Sequence, residues 1–190
     1  MAFLGGVIHQ VIAEGDAGIR ETCHKIRQII EIGKRDPYMQ QMTAQAIQGA
    51  RNQTEKSQQI VAWFMQHIQY RHDDDMSFTE EGLKAIHINE CPRKYQKCEP
   101  VEMLYAARQV IHQGFGDCDD FCITLGTMHE ISGIPVKMVT VAADPASPRE
   151  YSHIYLLAAL EDQWVPIDAV NKAQPWGWEI ETPYRREVMC

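Results

Sequence analysis

Apolar residues in the first third of the chain recur at helical spacing. Ile19, Cys23, Ile26 and Ile30 follow Gly15-Asp16 at intervals of three or four, and Asp36-Pro37 ends the run. Met39, Met42, Ala46 and Ala50 make a second stripe. Ile60, Val61, Phe64 and Ile68 make a third, on a helix predicted over about 54–70. Stripes of this kind are core faces, because an amphipathic helix must cover one side against a neighbour.

The period is lost over 71–100. Asp73-Asp74-Asp75 lacks the liganding pattern of a calcium loop, and 80–88 could form a short helix. An irregular stretch of this length is a lid, a binding loop or a plain insertion. Residues 102–111 are apolar enough to pack and lead into Gln113-Gly114-Phe115-Gly116. A helix is then predicted from Cys118, with Phe121, Cys122, Leu125 and Met128 inward and Gly133 as its stop. Strands are predicted over 136–143, 153–160 and 163–169, and the tail with Trp176-Gly177-Trp178 reads as irregular. Helices followed by a central helix on an antiparallel sheet make an α+β protein. The expected organisation is one domain over 1–190. It comprises a helical part (1–70), an insertion (71–100), a core (101–170) and a tail (171–190).

Composition narrows the function classes. A chain of 190 residues with 45% apolar and 23% charged content is an ordinary soluble domain with room for a core. A formal net charge of −8 argues against nucleic acid as a partner, which needs basic surface. No run approaches a membrane span, and Met1-Ala2-Phe3-Leu4 opens without the basic region of a secretory signal. The six cysteines follow no disulfide framework, so reduced thiols in a cytosolic setting are expected. Cys91 and Cys98 could pair or form half a metal site, but they lack the tight spacing of a zinc knuckle. No metal or other cofactor is expected.

The chemistry concentrates in Gly116-Asp117-Cys118-Asp119-Asp120, followed by Ser152-His153-Ile154-Tyr155 and Trp164-Val165-Pro166-Ile167-Asp168. A thiol at a helix start gains from unpaired backbone N–H groups and the helix dipole, which favour its thiolate. Asp117, Asp119 and Asp120 oppose that anion as charges, although they suit a helix cap and first turn. A thiolate here therefore needs a cationic partner. If Glu161-Asp162 is a two-residue hairpin turn, Leu160 faces Gln163 and Asp168 lies opposite Tyr155. His153 is then a diagonal neighbour of Asp168 at about 7–8 Å between backbones, on the same face. One more loop residue would separate them. Among the eight histidines, His129 lies too far down the Cys118 helix, whereas spacing leaves His112 open. Cys122 is the rival nucleophile but falls on the apolar face, where a thiol behaves as a small hydrophobe.

These segments resemble the transglutaminase-like superfamily: Gly-Asp-Cys-Asp-Asp opening a helix, Gly133-Ile134-Pro135 closing it, then His-Ile-Tyr and Trp-Val-Pro-Ile-Asp. More narrowly, Gly15-Asp16-Ala17-Gly18-Ile19-Arg20 and Trp176-Gly177-Trp178-Glu179 are similar to short bacteriophage and prophage members. Only about 71–99 falls outside the likeness. Phe121 and Cys122 depart from the usual pattern without touching the three polar positions. The resemblance implies a papain-like topology, with Cys118 as nucleophile, His153 as general base and acid, and Asp168 as the group orienting His153. It implies a thiol peptidase or amidase acting on a protein or peptide. A crosslinking transglutaminase, or a non-catalytic tail protein bound to other phage structural proteins, would use the same fold. The host cytoplasm or the virion is the implied location. Gln109 or Gln113 could supply a second oxyanion donor beside the backbone N–H of Cys118.

Overall fold

The structure, a computed structural model, describes residues 7–10, 15–72 and 102–188. Asp73-Asp74-Asp75, the helix expected at 80–88, Cys91, Cys98 and Cys190 lie outside the described residues. Five helices are described: α1 (Gly15–Gly33), α2 (Pro37–Ala46), α3 (Gln53–His67), α4 (Ala107–Gln113) and α5 (Cys118–Ile131). The strands are β1 (Val7–Gln10), β2 (Gln69–Tyr70), β3 (Glu102–Tyr105), β4 (Phe115–Gly116), β5 (Val136–Val141), β6 (His153–Leu160), β7 (Gln163–Ile167) and β8 (Arg185–Val188). None of the described helices is long and apolar enough to cross a membrane.

The α+β expectation holds, and α5 is its centre. Helices α1, α2, α3 and α4 all pack against α5, and β6 packs on it from the sheet side. Every residue of α5 from Asp119 to His129 is buried. The predicted stripes supply the core: Cys23, Ile26 and Ile30 from α1, Met39 from α2, and Ile60, Val61 and Phe64 from α3. Phe64 meets Phe121 of α5 edge-on, with centroids 4.7 Å apart. Helix starts follow the sequence closely. Asp36 caps α2 by accepting from the Tyr38 N–H (2.9 Å), and Asn52 caps α3 by accepting from the Glu55 N–H (2.8 Å).

The main sheet has the order β7-β6-β5-β8 and is antiparallel throughout. Its two faces follow strand alternation. Ile154, Leu156, Ala158 and Leu160 join the core with α5, while Tyr155, Leu157, Val139 and Val141 form a second cluster on the other face. A two-residue parallel pair, β2 with β4, ties the exit of α3 to the loop before Cys118. An antiparallel pair joins β1 to β3.

Several boundaries differ from expectation. The second stripe stops at Ala46, because Gly49 adopts φ 86° and reverses the chain before Ala50. The third helix ends at His67, since Gln69 and Tyr70 turn to bond with β4. Residues 102–111 split into a strand and a helix. The tail is not wholly irregular: Arg185–Val188 forms the edge strand β8 against β5.

His129 is fully buried, and both ring nitrogens are satisfied by a neutral imidazole. Nδ1–H donates to the Leu125 carbonyl (2.8 Å), so Nε2 accepts the Ser57 hydroxyl (2.9 Å) and links α3 to α5. Burial lowers its pKa from 6.5 to about 4. The unfolded ring takes up a proton near pH 6.5 and the folded one resists, so stability is full above that pH and declines as pH falls towards 4. The loss should total on the order of 3 kcal/mol. Urea melts of the wild type and His129→Gln at pH 4.5 and 7.5 check this: the variant should show a flatter pH dependence.

Candidate active site

The start of α5 is built from three buried carboxylates. Asp117 is the cap, its Oδ1 accepting from the N–H groups of Asp119 (3.1 Å) and Asp120 (3.2 Å). Asp120 is wholly buried and its Oδ1 accepts from the Tyr105 N–H (2.8 Å), fixing α5 to β3. Asp119 Oδ1 accepts the Cys118 thiol proton at 3.9 Å. Cys118 itself is half-buried, packed against the edge of the core. Close approach makes Gly116 obligatory: a Cβ there would lie 2.7 Å from Asp120 Cβ and 2.8 Å from its Oδ2.

The hairpin register is the one the two-residue turn predicts. Leu160 pairs with Gln163 and Leu156 with Ile167, and Glu161 takes φ 53° in the turn. Continuing the register sets Asp168 opposite Tyr155, on the face shared with His153. The two side chains meet: His153 Nε2–H donates to Asp168 Oδ2 at 2.8 Å. Asp168 Oδ1 accepts from the Val170 N–H (3.0 Å), so both carboxylate oxygens are directed. Nε2 holds the Asp168 bond, which leaves Nδ1 as the ring's other nitrogen. Both side chains are largely shielded, at 11% and 6% exposure, so their bond is little weakened by water.

A Cβ on Gly126 would lie 3.5 Å from Leu156 Cδ1, so the middle of α5 packs on the middle of β6. Asp168 also lies near enough to α5 to act on Cys122. Burial pushes that thiol well above its ordinary pKa, and the charges of Asp119, Cys118 and Asp168 add to the push.

The competing residues have other places. Cys122 is 2% exposed and holds its proton, as the apolar-face reading expects. His112 is stacked on Tyr38, with centroids 4.8 Å apart, on the exposed side of α4. Gln113 donates to the Phe115 carbonyl (2.8 Å) and braces the glycine loop. Two supports escaped the sequence reading. Lys172 donates to the carbonyls of Met65 (2.7 Å) and Ile68 (3.1 Å), anchoring the loop after Asp168 to the end of α3. The hydroxyl of Tyr155, beside His153, donates to Glu179. Among the described residues, no group of His, Cys, Asp and Glu could hold a metal ion.

A thiol at the start of a buried helix and a hydrogen-bonded histidine and aspartate on the antiparallel sheet packed on that helix define a class of fold. Residues 40–169 match the family model described as Transglutaminase-like superfamily, and the chain belongs to that superfamily. Its members include cysteine peptidases and transglutaminases. Similar solved structures include a "putative protease" from Parabacteroides distasonis ATCC 8503, at 8% identity and TM-score 0.49, over 79% of this chain and 26% of that one. A "putative cysteine protease" from Cytophaga hutchinsonii shares 17% identity at TM-score 0.47, over 77% of this chain and 42% of that one. A "TGase" shares 13% identity at TM-score 0.42, over 91% of this chain and 37% of that one. The chain spans less than half the length of each. Among curated proteins, none matches it.

Gly116→Ala tests the packing at the helix start. Asp120 is too short and too buried to yield, so the variant should lose roughly 1–3 kcal/mol in denaturant melts. Faster amide exchange at Tyr105 should accompany the loss. Unchanged stability would contradict the close approach.

Proposed function

We propose that this chain is a cysteine-dependent acyl-transfer enzyme, a thiol peptidase or amidase acting on a peptide bond or a glutamine amide. The observation that carries the reading is the His153–Asp168 hydrogen bond, with Asp168 near enough to α5 for its charge to act on Cys122. On activation, His153 Nδ1 takes the Cys118 proton, and the imidazolium supplies the cation that the surrounding carboxylates demand. Asp168 holds the ring by Nε2–H and stabilises its charge. The thiolate attacks the amide carbonyl carbon, and the oxyanion is met by the backbone N–H of Cys118 at the helix start. Collapse breaks the C–N bond as His153 gives its proton to the leaving amine. Water, deprotonated by the same ring, then cleaves the thioester, releasing the acid and restoring the thiol. Hydrolysis requires no second specific site, which favours water over a lysine as acceptor. The substrate is a protein or peptide, and the net charge of −8 does not suit a nucleic acid. We read 1–190 as one domain.

Iodoacetamide labelling followed by peptide mapping tests the reading. Cys118 should react at neutral pH about a hundredfold faster than Cys122, with a bell-shaped pH profile, and His153→Ala should abolish the difference. With a cleavable peptide substrate, Cys118→Ala should cost roughly 10³-fold or more in turnover, while Cys122→Ala is tolerated. Slow, equal labelling of both thiols would instead favour a scaffold or tail component that keeps the fold without the chemistry.

A further inference from the structure

One ionisable network, anchored on a buried tyrosine, has no part in the acyl-transfer steps. Tyr155 lies two residues beyond His153 on the same strand face, and the rings stack with centroids 6.0 Å apart and planes inclined at 27°. Tyr155 is 2% exposed and packs with Val139, Val141 and Leu157. Its hydroxyl donates to Glu179 Oε1, which also accepts from Arg185 Nε at 2.8 Å. Arg185 opens β8, and its NH1 donates to Glu187 of the same strand at 2.8 Å. Ile180, next to Glu179, packs on the cluster that contains Tyr155.

We propose that Tyr155, tethered through Glu179 to Arg185, is a positioning residue for the His153 imidazole, and that segment 176–185 thereby sets the reactivity of the Cys118 thiol. This rests on the reading of His153 as the partner of Cys118. One hydrogen bond to Asp168 fixes the ring at one edge and leaves its tilt open. A second ring held against its face removes that freedom. A stacked phenol also favours a cationic imidazole, because the π face is negative. Donation of the phenol proton to a carboxylate adds electron density to that face. The charged and titratable groups around the ring are Asp168 at Nε2, Tyr155 backed by Glu179 and Arg185, and Cys118 with Asp119 at the start of α5. Burial and the Glu179 bond raise the Tyr155 pKa, so the hydroxyl keeps its proton throughout the working range. A purely structural tyrosine needs only an acceptor for its buried hydroxyl. Such a role would leave thiol reactivity untouched.

The test compares the full chain with Glu179→Gln, Tyr155→Phe and Tyr155→Leu, after melts have established which variants fold. Iodoacetamide rates at Cys118 are measured across the neutral pH range, and the His153 ring nitrogens are followed by long-range ¹H–¹⁵N NMR. Glu179→Gln and Tyr155→Phe should slow alkylation at pH 7 roughly three- to tenfold, and Tyr155→Leu by more than tenfold. The acid limb of the profile should move to higher pH, and the His153 resonances should lose their single Nε2–H tautomer. Wild-type profiles and an unchanged tautomer in folded Glu179→Gln and Tyr155→Phe overturn the proposal, whether or not Tyr155→Leu folds. Should wild-type Cys118 react no faster than Cys122, the enzyme reading fails on its own. The tautomer of His153 in Glu179→Gln then still decides the role of Tyr155.

Discussion

The pairing of β6 with β7 is the constraint on which the site depends. Side chains alternate along a strand, so a slip of one residue would carry Asp168 to the face opposite His153. The two-residue turn at Glu161-Asp162 prevents that slip, with Glu161 held at φ 53°. A glutamate in the left-handed region costs on the order of 1 kcal/mol. Five paired positions and the buried residues Leu156, Ala158, Val165 and Ile167 offset it. The register then brings an imidazole and a carboxylate, fifteen positions apart in sequence, to 2.8 Å.

A second constraint acts at the start of α5, where three largely buried carboxylates surround a thiol. Their charges oppose a thiolate, yet each is engaged with a backbone or thiol hydrogen. Asp117 accepts two N–H groups of the first helical turn, Asp120 accepts the Tyr105 N–H, and Asp119 accepts the Cys118 proton. The first two arrangements anchor the helix. The third directs the Cys118 proton at a carboxylate, and in the proposed mechanism His153 is the base that takes it. Cys122, one turn further in, meets the same negative charges without such a base, and burial keeps it protonated. Two thiols on one helix thus differ through their surroundings.

Much of this was legible in the sequence where the signal is periodic or local. The stripes of α1 and α3 and the hairpin turn each follow from a few neighbouring residues. What stayed hidden depends on distant partners. Arg185–Val188 has only Val188 as an apolar residue, so alternation says little, and the strand exists because the edge of β5 is open to it. The ends of α2 and α3 are set by Gly49 and by pairing with β4, neither of which interrupts the apolar stripes. Lys172 and Tyr155 look like a surface cation and a core aromatic until the carbonyls of α3 and the carboxylate of Glu179 are in view. The positions of Cys118, His153 and Asp168 could be named from the motifs, and the pairing of the last two from the length of the hairpin turn.

Proximity of the Cys118 sulfur to the His153 ring is the central claim, and a short bifunctional alkylator reads it directly. Treating the folded protein with 1,3-dibromoacetone and mapping the products by mass spectrometry should yield one dominant crosslink, from Cys118 Sγ to a His153 ring nitrogen. Cys118 bridged to another residue, or alkylated at one end only while His153 stays unmodified, would contradict it.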